Sequence, residues 1–293
     1  MTDWSQIAEQ IAAASGRPFR PTAPRSVGGG CINTAAVLAD GEHAYFVKVN
    51  SADGLPMFEA EAAGLAEIAS TQTVRVPLPL RTGLAAGEAF IALEHIALTG
   101  RSTKGAAKAG ELLAAMHRAT RPAFGWDRDN TIGSTLQENA PDDDWVNFWH
   151  HRRLRFQLDL AAANGHRGQL RDRGQRLLEV FPKVIDHAPS PSLLHGDLWG
   201  GNLGFDRAGD PVIYDPAVYY GDREADVAMT ELFGGFGADF YAAYRDAWPL
   251  DPGYRTRKDL YNLYHVLNHL NLFGGGYRGQ AEAMIGRLLA EIG

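Results

Sequence analysis

Apolar and polar positions change rhythm about a third of the way along the chain. The first fifteen residues, Met1 to Ser15, predict a short amphipathic helix capped near Thr2 or Asp3, followed by a Pro-rich connector from Arg17 to Arg25. Short apolar runs then follow, through Leu38 and again over Ala44-Tyr45-Phe46-Val47-Lys48-Val49, joined by Asp40-Gly41, and this predicts a hairpin. Pro56 to Ala69 reads as a helix with Met57, Ala60, Leu65 and Ile68 on an apolar face and Glu59, Glu61 and Glu67 among its polar positions. Further strands are expected around Leu78 to Thr82 and Ala89 to Glu94.

Beyond Leu98 the helical period takes over, with helices predicted over Thr103–Arg118, Trp145–Asn164, Gly168–Val184, Arg223–Phe233, Ala238–Trp248, Thr256–Phe273 and Gln280–Ile292. Short β-like pieces interrupt them at Ser192–Leu194, Leu203–Phe205 and Val212–Tyr214. The expected fold class is α+β and bilobal. A small β-rich N-lobe with one main helix spans residues 1–96, a larger, mostly helical C-lobe spans 97–293, and a cleft lies at the junction near Glu94 to Gly100.

With 293 residues, 45% hydrophobic and 22% charged, the chain has enough apolar content for a substantial core and no signature of disorder. Its formal net charge of -7 disfavours a non-specific nucleic-acid binder, which needs surplus cations to neutralise phosphates. The single cysteine, Cys31, excludes an intramolecular disulfide framework and suits a reducing compartment. With no basic, apolar leader and no run near the roughly 20 apolar residues that span a bilayer, a cytoplasmic protein without membrane partners is expected.

The densest chemistry lies in Leu194-His195-Gly196-Asp197-Leu198-Trp199-Gly200-Gly201-Asn202 and in Ile213-Tyr214-Asp215. Asp197 is a candidate proton acceptor, and Asn202 and Asp215 are candidate oxygen ligands for Mg²⁺, which needs only one or two carboxylates when phosphates and water complete its shell. Taken singly, each suits a turn, a cap or a strand end; together, at this spacing, they are the minimum a phosphoryl-transfer loop requires. His195 is read as a structural brace for the loop. Gly28-Gly29-Gly30 could let backbone N–H groups approach nucleotide phosphates, and Lys48, in an otherwise apolar strand, needs an anion. Phosphate or a helix glutamate would serve, Glu61 being preferred over Glu59, although an edge-strand lysine facing water fits as well. Cys31, at the tip of the glycine loop, could have a lowered thiol pKa from nearby N–H dipoles and Lys48, in which case its oxidation or intermolecular pairing would block a nucleotide, although a free buried thiol is the commoner case.

These stretches, with Met57-Phe58-Glu59-Ala60-Glu61, Asp215-Pro216-Ala217, Phe233-Gly234-Gly235-Phe236 and Leu267-Asn268-His269, resemble nearly end to end the fructosamine/ketosamine-3-kinase family. That family is a branch of the aminoglycoside-phosphotransferase-like, protein-kinase-like fold. The resemblance implies ATP and Mg²⁺ as cofactors and Asp197 as base. It implies Asn202 and Asp215 as metal ligands, Lys48 on the α- and β-phosphates and Glu61 orienting Lys48. It also implies Glu94 to Ile96 as an adenine-binding hinge, Asp226 bracing the catalytic loop, and Trp199, His269 and Asn271 shaping the sugar-amine pocket. The implied reaction is phosphorylation of the 3-hydroxyl of ketosamines (fructosamine, ribulosamine or erythrulosamine), free or on protein lysines, and hence protein deglycation. Alternatives are a kinase of another hydroxylated amine, of aminoglycoside, choline or homoserine type, or a non-catalytic nucleotide-binding scaffold. A monomer or a Cys31-linked dimer is expected. Leu270, where many relatives carry an aromatic, and Gly200, in place of a common Ser, are departures that bear on the preferred ketosamine.

Overall fold

The computed structural model describes residues 2–28, 33–99 and 103–293. Helix α1 (Trp4–Ser15) starts where Asp3 accepts hydrogen bonds from the Ser5 and Gln6 N–H groups and stops at Gly16 in a left-handed conformation, φ 69°. Strands β1 (Arg25–Val27), β2 (Thr34–Ala39), β3 (Ala44–Ser51), β4 (Pro79–Ala85) and β5 (Glu88–Glu94) form one antiparallel sheet in the order β1-β2-β3-β5-β4. Asp40 closes the β2–β3 turn by accepting from the N–H groups of Glu42 and His43.

Strand alternation decides what each face of this sheet does. Val47, Phe90 and Ala92 pack with Ile7 and Ile11 of α1 on one face. Ile91 and Leu93 pack on the other with Phe58, Leu65 and Ile68 of α2 (Leu55–Ser70). Lys48, one position from Val47, therefore points toward α2 and the cleft.

The rest is mainly helical: α3 (Thr103–His117), α4 (Trp145–Phe148), α5 (Phe156–Ala163), α6 (Gln169–Val180), α7 (Glu224–Leu232), α8 (Ala238–Ala247), α9 (Tyr254–Phe273) and α10 (Arg278–Ile292). A π-helical turn over Trp149–Arg155 divides the helix expected at Trp145–Asn164. Helix α9 is the axle, with Leu260, Leu263, Val266 and Leu267 fully buried between α7 and α10.

Three small two-stranded sheets position the loops: β6 (Asn130–Ile132) with β7 (Thr135–Gln137), β8 (Ser192–Leu194) with β11 (Tyr219–Gly221), and β9 (Leu203–Phe205) with β10 (Pro211–Ile213). The β6–β7 hairpin, β1 and β11 carry no strand prediction. Each is three residues long, too short to display a period, whereas the equally short β8, β9 and β10 are marked by the loop motifs they flank. Helix α2 is keyed to this region, because a Cβ at Gly64 would stand 3.0 Å from a Val218 side-chain carbon.

Candidate active site

The loop Asp197–Asn202 leaves β8 and enters β9, while Tyr214–Val218 runs from β10 to β11, so these pairings lay the two loops side by side. Gly196 makes their approach possible: its φ is 81°, and a Cβ there would lie 2.1 Å from the Ala217 carbonyl oxygen. The Ala217 N–H in turn donates to the His195 carbonyl at 2.8 Å.

Beneath the loop, Asp226 accepts from the backbone N–H groups of His195 at 2.6 Å and Gly196 at 2.8 Å. His117 Nε2 donates to the same carboxylate at 3.2 Å, and its Nδ1 meets the Tyr244 hydroxyl at 2.8 Å. Burial pushes the Asp226 carboxyl up, but the hydrogen bond and charge of His117, with His195 and the Gly196 N–H, more than offset this and hold it below the ordinary carboxylate range. His195 itself is fully buried, and burial pushes its imidazole down. In the neutral tautomer Nε2 donates to the Tyr214 carbonyl at 3.0 Å and Nδ1 accepts from the Asp197 N–H at 3.3 Å, tying one loop to the other.

Asp197 faces the cleft. Its carboxyl is raised well above the usual range, first by burial and then by the charge of Asp215, against a lowering hydrogen bond from Asn202. Asn202 spends its amide N–H₂ on Asp197, 2.9 Å to the carbonyl and 3.3 Å to Oδ2, which leaves Oδ1 without a donor among the described residues. Asp215 adopts φ 58°, a left-handed conformation unusual for a residue with a side chain. Lys48 Nζ donates to Asp215 Oδ1 at 2.5 Å and to Glu61 Oε1 at 2.7 Å. Burial opposes the Lys48 charge, but the two carboxylates more than offset it and raise the ammonium's pKa. Glu59 is exposed on the far side of α2, so the helix partner of Lys48 is Glu61.

These groups line one cavity of about 880 Å³ between the large sheet and the helical part. Its apolar end is made by Val27, Ala35, Phe46, Leu93, Leu98 and Val212, with Glu94, His95 and Ile96 along one edge. The Glu94 carboxylate is bound to Arg75 at 2.8 Å and the Glu94 N–H donates to the Leu78 carbonyl at 2.8 Å, so neither group is spare for a base. At the other end stand Thr131, Trp199, His269, Phe273 and Tyr277, with ring centroids of His269 lying 5.0 Å from Phe233 and 5.1 Å from Tyr277. His269 Nδ1 donates to the His265 carbonyl at 2.8 Å, and burial pushes the imidazole down. Gly201 gives Trp199 its place, since a Cβ there would meet the indole at 2.4 Å.

Two expectations need correction. Asn271 is turned away from the cavity: its amide donates to the Gln157 carbonyl at 3.0 Å and to Gln157 Oε1 at 2.8 Å, and Asn268 and Leu272 line the wall instead. An i, i+2 spacing on a helix puts His269 and Asn271 on different faces. Leu270 is buried in the core rather than at the cavity, so this departure does not shape the pocket. Gly28 lies at the cleft, while Gly29, Gly30 and Cys31 fall outside the described residues. His117, Thr131, Phe273 and Tyr277 carry no signal in the sequence, because each stands alone and is brought to the site only by tertiary packing.

The donor set suits a hard divalent cation. Asn202 Oδ1 and Asp215 Oδ2 are oxygen atoms unclaimed by any described residue, beside a cleft with room for phosphates.

The sequence profile described as Fructosamine kinase matches residues 3–291. A protein of Synechocystis sp., named as a candidate ketoamine kinase, is 49% identical over 98% of this chain and 97% of its own length. A protein-ribulosamine 3-kinase, chloroplastic, of Oryza sativa subsp. japonica is 44% identical over 94% of this chain and 81% of its own. The crystal structure of a candidate fructosamine-3-kinase from Haemophilus somnus 129PT superposes with a TM-score of 0.90 at 28% identity, covering 98% of this chain and 97% of that one. The architecture is the protein-kinase-like fold.

Proposed function

The chain belongs to the fructosamine kinase family, and from that premise we propose that it transfers the γ-phosphoryl group of ATP to the 3-hydroxyl of ketosamines, free or carried on protein lysines. The observation that carries this reading is the convergence of Asp197, Asn202, Asp215 and Lys48 on one cleft, with an apolar slot at one end and an aromatic-walled pocket at the other.

In this reading residues 1–96, with Val212 from the helical part, hold the nucleotide. Val27, Phe46, Leu93 and Val212 sandwich the base, the Glu94–Ile96 backbone addresses its edge, and Lys48, oriented by Glu61, meets the phosphates. Asn202 and Asp215 would hold Mg²⁺, which supplies charge neutralisation at the phosphates when bound. Lys48 Nζ, shared between Glu61 and Asp215, would be held by Glu61 within reach of phosphate oxygens. Trp199 and His269 position the sugar, and Asp197 accepts the proton of the attacking hydroxyl. With so little covalent work for the protein, the catalysis lies in positioning and electrostatics. Elimination of phosphate from the ketosamine 3-phosphate, followed by hydrolysis of the resulting imine by water, would release the amine, giving protein deglycation as the role.

The test is a panel of ribulosamine, fructosamine and erythrulosamine substrates, free and on peptide lysines, against aminoglycosides, choline and homoserine, each with ATP and Mg²⁺. Phosphorus NMR locates the phosphate. Phosphate on the 3-oxygen of a ketosamine is the expected result; turnover confined to another acceptor class, or ATP binding with no turnover of any, overturns the assignment.

A further inference from the structure

Behind the Asp215 loop lies a buried polar network. Arg153, placed by the π-helical turn, is fully buried and has no carboxylate partner among the described residues. Its guanidinium instead packs 4.7 Å from the Phe148 ring centroid, 4.1 Å from Tyr219 and 5.8 Å from Tyr264. It donates to the Glu138 carbonyl at 2.7 Å and to Asn139 Oδ1 at 2.6 Å.

A guanidinium can only donate, and that fixes the direction of everything downstream. Asn139 must present its oxygen to Arg153, so its Nδ2 donates onward to Asn130 Oδ1 at 2.9 Å. Asn130, its oxygen occupied, donates from Nδ2 to the Val218 carbonyl at 2.8 Å. A second chain runs parallel: the Tyr264 hydroxyl donates to Gln137 Oε1 at 2.7 Å, and Gln137 Nε2 donates to the Ala217 carbonyl at 3.0 Å and to Asn130 Oδ1 at 2.8 Å. Two donor chains thus end on consecutive carbonyls immediately after Asp215-Pro216. The opposite face of the same segment is held by the Ala217 N–H on the His195 carbonyl.

We propose that Arg153, Asn139, Asn130 and Gln137 are positioning residues for the metal ligand: their directed hydrogen bonds hold residues 215–218 so that Asp215 keeps its left-handed conformation and aims its free oxygen into the cleft. Left-handed backbone at a residue with a Cβ persists only where its surroundings over-determine it, and here they do so from both sides. Chains of buried hydrogen bonds also polarise one another, so a break at one link weakens the next.

The proposal rests on the reading of Asp215 as a metal ligand, and the experiment separates the two. Asn139→Asp keeps the shape and still accepts from Arg153, but it turns the donor to Asn130 into an acceptor; Gln137→Met removes the donor to Ala217 at similar volume. In the full-length protein, binding of Mn²⁺ with ADP is measured by electron paramagnetic resonance, and amide exchange of residues 215–220 is followed without metal. Each variant is expected to weaken Mn²⁺ binding about tenfold or more, as loss of groups that orient metal ligands does, and to speed exchange in that segment alone. Asp215→Asn, run alongside, should weaken Mn²⁺ at least as much. If Asp215→Asn binds Mn²⁺ as the unaltered protein does, the metal reading falls and takes the proposal with it. If Asp215→Asn weakens binding while Asn139→Asp and Gln137→Met do not, the relay alone is refuted. A variant that unfolds, or whose exchange rises uniformly along the chain, reduces the network to a structural brace and likewise overturns it.

Discussion

At Asp197 the environment sets both chemistry and stability. Burial and the neighbouring Asp215 raise its carboxyl pKa, so between the unfolded value and that raised value the folded state holds a proton the unfolded state has released. Stability attributable to this group is therefore greatest at low pH and falls as pH rises through the window. Asp197→Asn removes the penalty. At pH 7.5 the variant should melt at a higher temperature than the unaltered enzyme, a difference that shrinks as pH is lowered toward 4; scanning calorimetry across that range checks it, and an equal or lower melting temperature at pH 7.5 argues against a carboxylate destabilised by burial. The same shift requires kcat/KM to fall on the acid side with an apparent pKa above the ordinary carboxylate range, since a protonated Asp197 cannot accept the hydroxyl proton. A rate profile flat down to pH 4 would contradict the base role.

Elements transmit that local order. Helix α3 delivers His117 under Asp226, and it can do so because Gly110 lets α3 lie directly on α8, where a Cβ would come 2.3 Å from the Phe240 carbonyl oxygen. Gly110→Ala should cost about 1–3 kcal/mol of unfolding free energy, the usual penalty for overpacking a close contact, measured as a lowered urea midpoint. How far elements can be read in advance depended on their length. Strands β2 to β5 and helices such as α9 repeat a period often enough to be legible, and so is Lys48, because a cation in an apolar strand is conspicuous by itself. Glu61 over Glu59 needed the helix's rotation relative to β3. The β6–β7 hairpin, of two three-residue strands with polar residues at Asn130, Thr131, Thr135 and Gln137, lacks the apolar character that marks the equally short β8 and β10, yet it supplies Asn130, Thr131 and Gln137. Asn271 was misplaced for a related reason: residues adjacent in a string diverge once wound on a helix.

Across the whole molecule, the cleft is a product of packing between its two parts. Arg75 binds Glu94 at 2.8 Å and Asp206 at 3.1 Å, linking the strand before the cleft to the β9–β10 turn. Glu67 of α2 accepts from Arg121 at 2.9 Å and from the Tyr220 hydroxyl at 2.6 Å. No helix among the described residues is long and apolar enough to cross a membrane. Since a nucleotide would bridge both parts, ADP with Mg²⁺ at a hundred times its dissociation constant should stabilise the fold by about 2.7 kcal/mol, read as a rise in melting temperature that chelation of the metal largely reverses. A rise indifferent to chelator would detach Asn202 and Asp215 from the phosphates.

The most direct measurement is single-turnover transfer of labelled γ-phosphate from ATP to a ribulosamine, with Mg²⁺ present, by the unaltered chain and by Asp197→Asn. Transfer to the 3-oxygen slowed by about 10²-fold or more in the variant, with ATP and ribulosamine bound as tightly as before, is the predicted result. A variant rate near that of the unaltered chain would contradict it.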